Sequence, residues 1–70
     1  MRMKFKYVAV IVNLVDGIEV PVQSDAFNST EEAEDYASSF LAAKLQEAPR
    51  STYLVRVFDL DRNECIKEYR

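Results

Sequence analysis

The sequence predicts a small α+β domain in which two β-hairpins flank one helix, in the chain order ββαββ. Two observations predict the hairpins: residues 4–14 and 18–23 are rich in β-branched side chains around Asp16-Gly17, and a similar strand–turn–strand pattern follows later in the chain. A third observation predicts the helix, because the middle of the chain carries apolar residues at helical spacing. We therefore expect a two-layer fold, with a four-stranded antiparallel sheet and one helix on one face.

Composition limits the kind of protein this is. The chain has 70 residues, which is enough for one domain, residues 1–70. It is 49% hydrophobic and 30% charged, a globular composition. A chain this short buries only about 60% of its unfolded surface, so small folds usually need a disulfide, a metal or a partner subunit. One cysteine cannot form an internal disulfide, and the absence of histidine argues against a metal site, so we expect no metal or cofactor. Of the three supports, oligomerisation remains.

The register of the first hairpin determines which side chains face the helix. A two-residue Asp16-Gly17 loop pairs Val15 with Ile18, whereas a three-residue loop pairs Leu14 with Ile18. The second register gives the cleaner apolar face, and we predict it. It places under the helix the valines of strands 1 and 2, namely Val8, Val10, Val12, Val20 and Val22.

The central helix is predicted from its cap and its apolar side. Asn28 or Ser29 can cap it, with Glu31 or Glu32 as the reciprocal partner, and Pro49 ends it. Its apolar side consists of Ala33, Tyr36, Ala37, Phe40, Leu41, Leu45 and Ala48.

The second hairpin is predicted from residues 53–60 and 65–69, joined by a turn at 61–63 in which Asn63 can take the left-handed conformation. A three-residue loop places Arg56 opposite Glu68. Arginine is a poor core residue, so we expect its face to lie away from the helix. The set expected under the helix is then Tyr53, Val55, Val57, Cys65 and Tyr69.

Strand order follows from apolarity. Strand 1 is apolar on both sides and should be central, whereas Pro21 cannot donate to a strand ladder and marks strand 2 as an edge. Strand 4 is the most charged and should be the other edge. These arguments predict the order 2-1-3-4, and the alternative is 2-1-4-3, a β-grasp-like order in which strands 1 and 4 are parallel.

Catalytic chemistry is poorly represented in the sequence. A cysteine or serine nucleophile needs a nearby base, and the chain has no histidine. We expect Cys65 to be a small core residue. A single glycine, Gly17, is too few for a phosphate-binding loop. We therefore predict a non-enzymatic protein-interaction module with no catalytic residues.

The outer face of the sheet, away from the helix, is the first candidate interface. One helix covers only one face, and an exposed apolar patch of this size is unusual on a soluble monomer. We expect a homodimer or one protein partner to bury it. The predicted interface consists of Phe5, Tyr7, Ile11, Leu54, Arg56, Phe58 and Ile66.

The helix offers a second candidate, an acidic partner surface made of Glu31, Glu34 and Asp35. It would suit an inhibitor, of the kind carried by viruses or mobile elements, that blocks a basic nucleic-acid-binding protein. Single-stranded nucleic acid on the sheet is a further alternative, but the net charge of −3 disfavours it. The sequence contains no signal peptide or membrane span, so we expect a cytoplasmic protein with no membrane partner.

Overall fold

A computed structural model describes residues 5–47 and 52–70 of the chain. In these residues the elements are β1 (Tyr7–Val15), β2 (Ile18–Phe27), α1 (Thr30–Glu47), β3 (Thr52–Asp59) and β4 (Glu64–Tyr69). The strands form one antiparallel sheet in the order β2-β1-β3-β4, with α1 on one face. The predicted α+β class and the order 2-1-3-4 are confirmed, and the β-grasp-like order is wrong.

The positions of the strands follow the apolarity of the sequence. β1 contributes Ala9, Ile11 and Val12 to the buried residues, as a central strand should. β2 is an edge strand, and Pro21, which has no N–H to donate, is paired only with Val12 of β1. The other edge is the short, charged β4.

The register predicted for the first hairpin is wrong. Val15 pairs with Ile18 across a two-residue loop, in which Asp16 has φ 54° and Gly17 has φ 79°. Positive φ at both loop residues is the geometry of the tight hairpin turn whose twist matches the strands. A β-bulge then leaves Val22 without a partner, since Ile11 pairs with Gln23 and Val12 with Pro21. The turn and the bulge together override the alignment of valines on which the prediction depended.

This register changes which side of β1 faces the helix. Because side chains alternate along a strand, a shift of one residue exchanges the two faces. Ile11 and Ala9 are fully buried against α1, and Tyr7 packs at the margin of that core. The prediction that Tyr7 and Ile11 lie on the outer face is therefore wrong, and so is the prediction that Val8, Val10, Val12, Val20 and Val22 pack under the helix.

The helix begins as the sequence predicts. The Ser29 hydroxyl oxygen accepts a hydrogen bond from the Glu32 backbone N–H at 3.2 Å, so Ser29 is the N-cap. The Glu32 carboxylate in turn accepts one from the Asn28 backbone N–H at 3.3 Å. The rings of Phe27 and Tyr36 pack 5.1 Å apart and fix the entry of the chain into α1. The predicted stop at Pro49 and the apolar position Ala48 lie outside the described residues.

The second hairpin has the predicted pairing at its centre and a different turn. Arg56 does lie opposite Glu68, but the turn has four residues, Leu60–Asn63, because Asp59 pairs with Glu64. Asn63 has the predicted positive φ, 56°, and its N–H donates to the Asp59 carbonyl at 2.7 Å. A bulge at Ile66 offsets the longer turn by one residue and restores the pairing beyond it.

The same bulge moves Cys65 away from its predicted place. Cys65 pairs with Phe58 and is exposed, so the prediction of a core cysteine under the helix is wrong. Tyr53, Val55, Val57 and Tyr69 do face α1 as predicted. The core lies between β1, β3 and the helix, where small Ala33 and Ala37 let α1 approach the sheet; its fully or almost fully buried members are Ala9, Ile11, Ala33, Ala37, Val55 and Val57.

Candidate functional site: the outer sheet face

The outer face carries the side chains that alternate with the core residues. Cross-strand pairing places Val10 beside Arg56, Val12 beside Leu54, and Val8 beside Phe58. Ala26 and Ser24 extend this surface onto β2, and Cys65 and Glu68 extend it onto β4. In the part of the chain that the structure describes, no helix packs on this face. The arrangement is a sheet surface that is apolar along its two central strands.

Arg56 forms the centre of a charged network on this face. Its Nη1 and Nη2 donate to the two carboxylate oxygens of Glu19, at 2.9 and 2.5 Å, which is a bidentate arrangement. Its Nε donates to Glu68 at 3.2 Å, and Arg70 Nε donates to the other oxygen of Glu68 at 2.7 Å. Two arginines and two glutamates therefore balance each other in charge.

The network lies over the middle of the sheet. Arg56 is opposite Val10 on β1, and Glu19 is opposite Leu14 on the same strand. The contact between their side chains therefore crosses β1 at Val12, the residue between them on this face. Val12 is 4% exposed and its neighbour Leu54 is 0% exposed, although no helix in residues 5–47 and 52–70 covers them. We attribute this burial to the aliphatic stem and guanidinium of Arg56.

Electrostatics hold the network in its charged form. The hydrogen bond from Arg56 lowers the pKa of Glu19 below its ordinary value, against a smaller opposing effect of burial. The pKa of Glu68 is lowered mainly by its hydrogen bond from Arg70, and to a smaller extent by its hydrogen bond from Arg56. The hydrogen bonds to the two carboxylates raise the pKa of Arg56. Glu19, Glu68 and Arg56 are consequently ionised at neutral pH.

The other half of the outer face has no such cover. We call it the turn-end patch, because it lies at the end of the sheet that carries the β3–β4 turn. It consists of Val8, Ala26, Phe58 and Cys65, on four adjacent strands. Ala26 and Cys65 are exposed, and Val8 and Phe58 are half-buried. Three more apolar residues near this end of the sheet are exposed: Phe5 just before β1, Leu60 in the turn, and Ile66 in the bulge.

The predicted interface residues have three different locations. Leu54, Arg56 and Phe58 lie on the outer face, but Leu54 is already buried within the chain. Phe5 and Ile66 are exposed, at 37% and 40%. Tyr7 and Ile11 are on the helix side. The structure therefore keeps Leu54, Arg56 and Phe58 on one face and separates Tyr7 and Ile11 from them.

Sequence reasoning missed Val8 as an outer-face residue and missed the contact between Glu19 and Arg56. The two-residue turn, for which Asp16-Gly17 was a direct signal, places Val8 on the same face as Glu19. Glu19 and Arg56 were both expected on the outer face, but on different hairpins, so no feature of the sequence was a reason to pair them.

The predicted acidic surface lies on the exposed side of α1. Glu31, Glu34 and Asp35 are all exposed, and Glu32 is occupied in the helix cap. In residues 5–47 and 52–70, no group of three or more acidic or cysteine side chains is arranged to hold a metal ion. No helix in these ranges is long and apolar enough to cross a membrane.

Comparison with known proteins adds nothing to this geometry. No protein-family model, no curated protein and no solved structure matches the chain.

Proposed function

We propose that this chain is a non-enzymatic protein-interaction module that associates with a second copy of itself through the outer sheet face. The observation that carries the proposal is the turn-end patch, where Val8, Ala26, Phe58 and Cys65 form an apolar surface with no helix over it. Burying such a surface is worth about 25 cal/mol per Å².

A second copy fits this face because a two-fold axis brings the same patch against itself. Two open sheets that pack face to face bury their apolar side chains in one shared layer. The Arg56 network brings no net charge into this packing, because its two positive and two negative charges are already paired. The predicted cytoplasmic location is consistent with a small module of this kind and stays a prediction.

The size of the face sets the expected strength of the dimer. Four strands about 4.8 Å apart and eight residues long at about 3.3 Å each give a face of roughly 500 Å². Two such faces bury roughly 1,000 Å², which is near the lower limit for a specific protein interface. We therefore expect a weak dimer that exchanges with monomer at micromolar concentrations.

The acidic surface of α1 is less well supported. Glu31, Glu34 and Asp35 are solvated side chains near a helix N-terminus, where acidic residues are favourable without any partner. Nucleic-acid binding on the sheet is also less well supported, since Tyr7 lies beneath the helix and Arg56 is paired with two carboxylates.

Sedimentation equilibrium tests the proposal. We expect the mass to rise above the 8.1 kDa of one chain as the concentration increases from about 10 μM to about 1 mM. Phe58→Lys places a charge in the patch and should leave a folded monomer over that range.

Val20→Lys is the matched control, because Val20 is a 40% exposed valine that lies opposite Asn13, on the helix side of the sheet. This variant should associate like the original chain. A mass that stays at one chain throughout, or one that Phe58→Lys does not change, would exclude self-association through this face.

A further inference from the structure

The two central strands carry a stripe of side chains along the outer face, and one charged residue interrupts its apolar character. The members of the stripe are Val8, Val10, Val12 and Leu14 on β1, and Phe58, Arg56 and Leu54 on β3. Of these only Arg56 is charged, and it lies between Phe58 and Leu54 on its strand. The position of its side chain therefore determines how far an uncovered apolar surface extends from the turn-end patch.

Glu19 holds the side chain of Arg56 across this stripe. We call the bidentate pair of Arg56 and Glu19 the clasp, and it crosses β1 over Val12, which is 4% exposed. The clasp itself is accessible to water, since 26% of the Arg56 side chain and 48% of the Glu19 side chain are exposed. Water and salt screen an ion pair of this kind, so only a small free energy holds the clasp closed.

We propose that the clasp is an autoinhibitory contact that limits self-association. Closed, it confines the uncovered apolar surface to the turn-end patch. Open, it joins Val12 and Leu54 to that patch in one surface, which a second copy of the chain covers. This inference rests on the self-association proposed above and adds a control on its strength.

The area of the outer face explains why the clasp matters. While it is closed, about half of a face of roughly 500 Å² is uncovered and apolar, so two copies together offer roughly 500 Å² of apolar surface. Specific interfaces bury about 1,200–2,000 Å² in total. Opening the clasp adds the apolar surface of Val12 and Leu54 in both copies, which brings the contact closer to that of a stable dimer.

The charges of the clasp favour a second copy over an unrelated apolar partner. Opening separates Arg56 from Glu19, and a purely apolar partner would cover both charges without pairing either. A second copy related by a two-fold axis brings the same two charges, so each copy supplies a carboxylate for the guanidinium that the other copy has released.

Sedimentation equilibrium of a charge-neutral double variant tests the clasp. Glu19→Ala/Arg56→Ala removes it, keeps the net charge at −3 and leaves Glu68 paired with Arg70. We expect this variant to dimerise with a dissociation constant about tenfold lower than that of the original chain, because the dimer buries more apolar surface. Adding Phe58→Lys to it should restore a monomer, and a dimer that survives this third substitution would contradict the proposed surface.

Arg62→Ala/Glu64→Ala is the matched control. It also removes one positive and one negative charge, from an ion pair with an N–O distance of 3.6 Å beside the β3–β4 turn. Both side chains are more than half exposed, and Glu64, opposite Asp59, lies on the helix side of the sheet. This control should associate like the original chain. Equal tightening in the two double variants would show a general effect of the removed charges and would overturn the role of the clasp.

Sodium chloride tests the clasp in the original chain without a substitution. Raising its concentration from about 50 mM to about 500 mM screens the exposed pair. Association of the original chain should tighten more than that of Glu19→Ala/Arg56→Ala, because the two proteins have the same net charge and differ in the clasp. An equal effect of salt on both would overturn the proposal.

The outcomes separate this inference from the proposed function. If the original chain dimerises and Glu19→Ala/Arg56→Ala dimerises no more tightly, the clasp alone is overturned. A single-chain mass in both overturns both proposals. A single-chain mass in the original chain with a dimer in the double variant supports the clasp and excludes self-association of the original chain in this range.

A milder substitution gives the same test if the double variant does not fold. Glu19→Gln weakens the clasp and keeps a side chain of the same size, and Glu64→Gln is its charge-matched control. Tighter association is expected only for Glu19→Gln, and an equal change in both single variants would overturn the proposal.

Discussion

The two faces of this sheet exclude water in different ways. On the helix face, α1 packs Ala33 and Ala37 against Ile11 and Val55, and all four side chains are fully buried. On the outer face, Leu54 is equally buried although no helix among the described residues packs over it. A long charged side chain with two carboxylate partners can therefore replace part of a second layer in a small domain.

The comparison also explains where the outer face stays open. Arg56 reaches toward Glu19, so it covers the sheet between Val10 and Leu14 and leaves Val8 and Phe58 uncovered. The helix α1 covers the centre of the helix face, whereas the outer face is covered only as far as the side chain of Arg56 extends. An apolar patch left uncovered at the turn end is the physical consequence.

Truncation of a buried residue on each face should give the largest effect. Ile11→Ala on the helix face should lower the free energy of unfolding by about 2–5 kcal/mol, from lost burial and the cavity left behind. Leu54→Ala should cost a similar amount, since its side chain is also fully buried. Urea denaturation of both variants measures this. A cost below about 1 kcal/mol for Leu54→Ala alone would mean that the Arg56 network does not seal the outer face.

A substitution in the β1–β2 turn should have a smaller effect on the free energy of unfolding. Gly17 has φ 79°, a left-handed conformation that costs other residues about 1–2 kcal/mol. Gly17→Ala should therefore lower the free energy of unfolding by about that amount, although an added Cβ meets no atom within 4 Å. Thermal unfolding measures the change. An unchanged or raised stability would contradict the left-handed conformation of Gly17 in this turn.

The smallest effect is the acid sensitivity of the outer face. The pKa values of Glu19 and Glu68 are lowered in the folded chain from an ordinary 4.5. The network therefore contributes stability above about pH 4.5, and this contribution is lost as the pH falls through the lowered values. The double variant Glu19→Gln/Glu68→Gln removes this dependence.

The measured quantity is the difference in free energy of unfolding between the original chain and the double variant, from pH 7 to pH 3. This difference should decrease toward acid pH. The other carboxylates are present in both proteins, so the effect of their titration cancels in the difference. A difference that stays constant over this range would show that the two carboxylates are not selectively stabilised by the network.

The sequence by itself determined the architecture of this protein. Asp16-Gly17, the Ser29–Glu32 cap and the apolarity of β1 are local or compositional signals, and each acts in the same way whatever surrounds it. Together with Pro21 and the charge of β4, they were sufficient for the elements, the strand order and the edge position of β2. The central pairing of Arg56 with Glu68 also followed from the sequence.

Only the tertiary structure decided which side of β1 faces the helix. Both sides of β1 are apolar, so hydrophobicity could not distinguish them, and a shift of one residue exchanges the faces. The bulges at Val22 and Ile66 each insert one residue without a strong local signal, and they place Ile11 in the core and Cys65 in solvent. The contact between Arg56 and Glu19 joins residues far apart in the chain, so it exists only once β1 has brought β2 and β3 to its two sides.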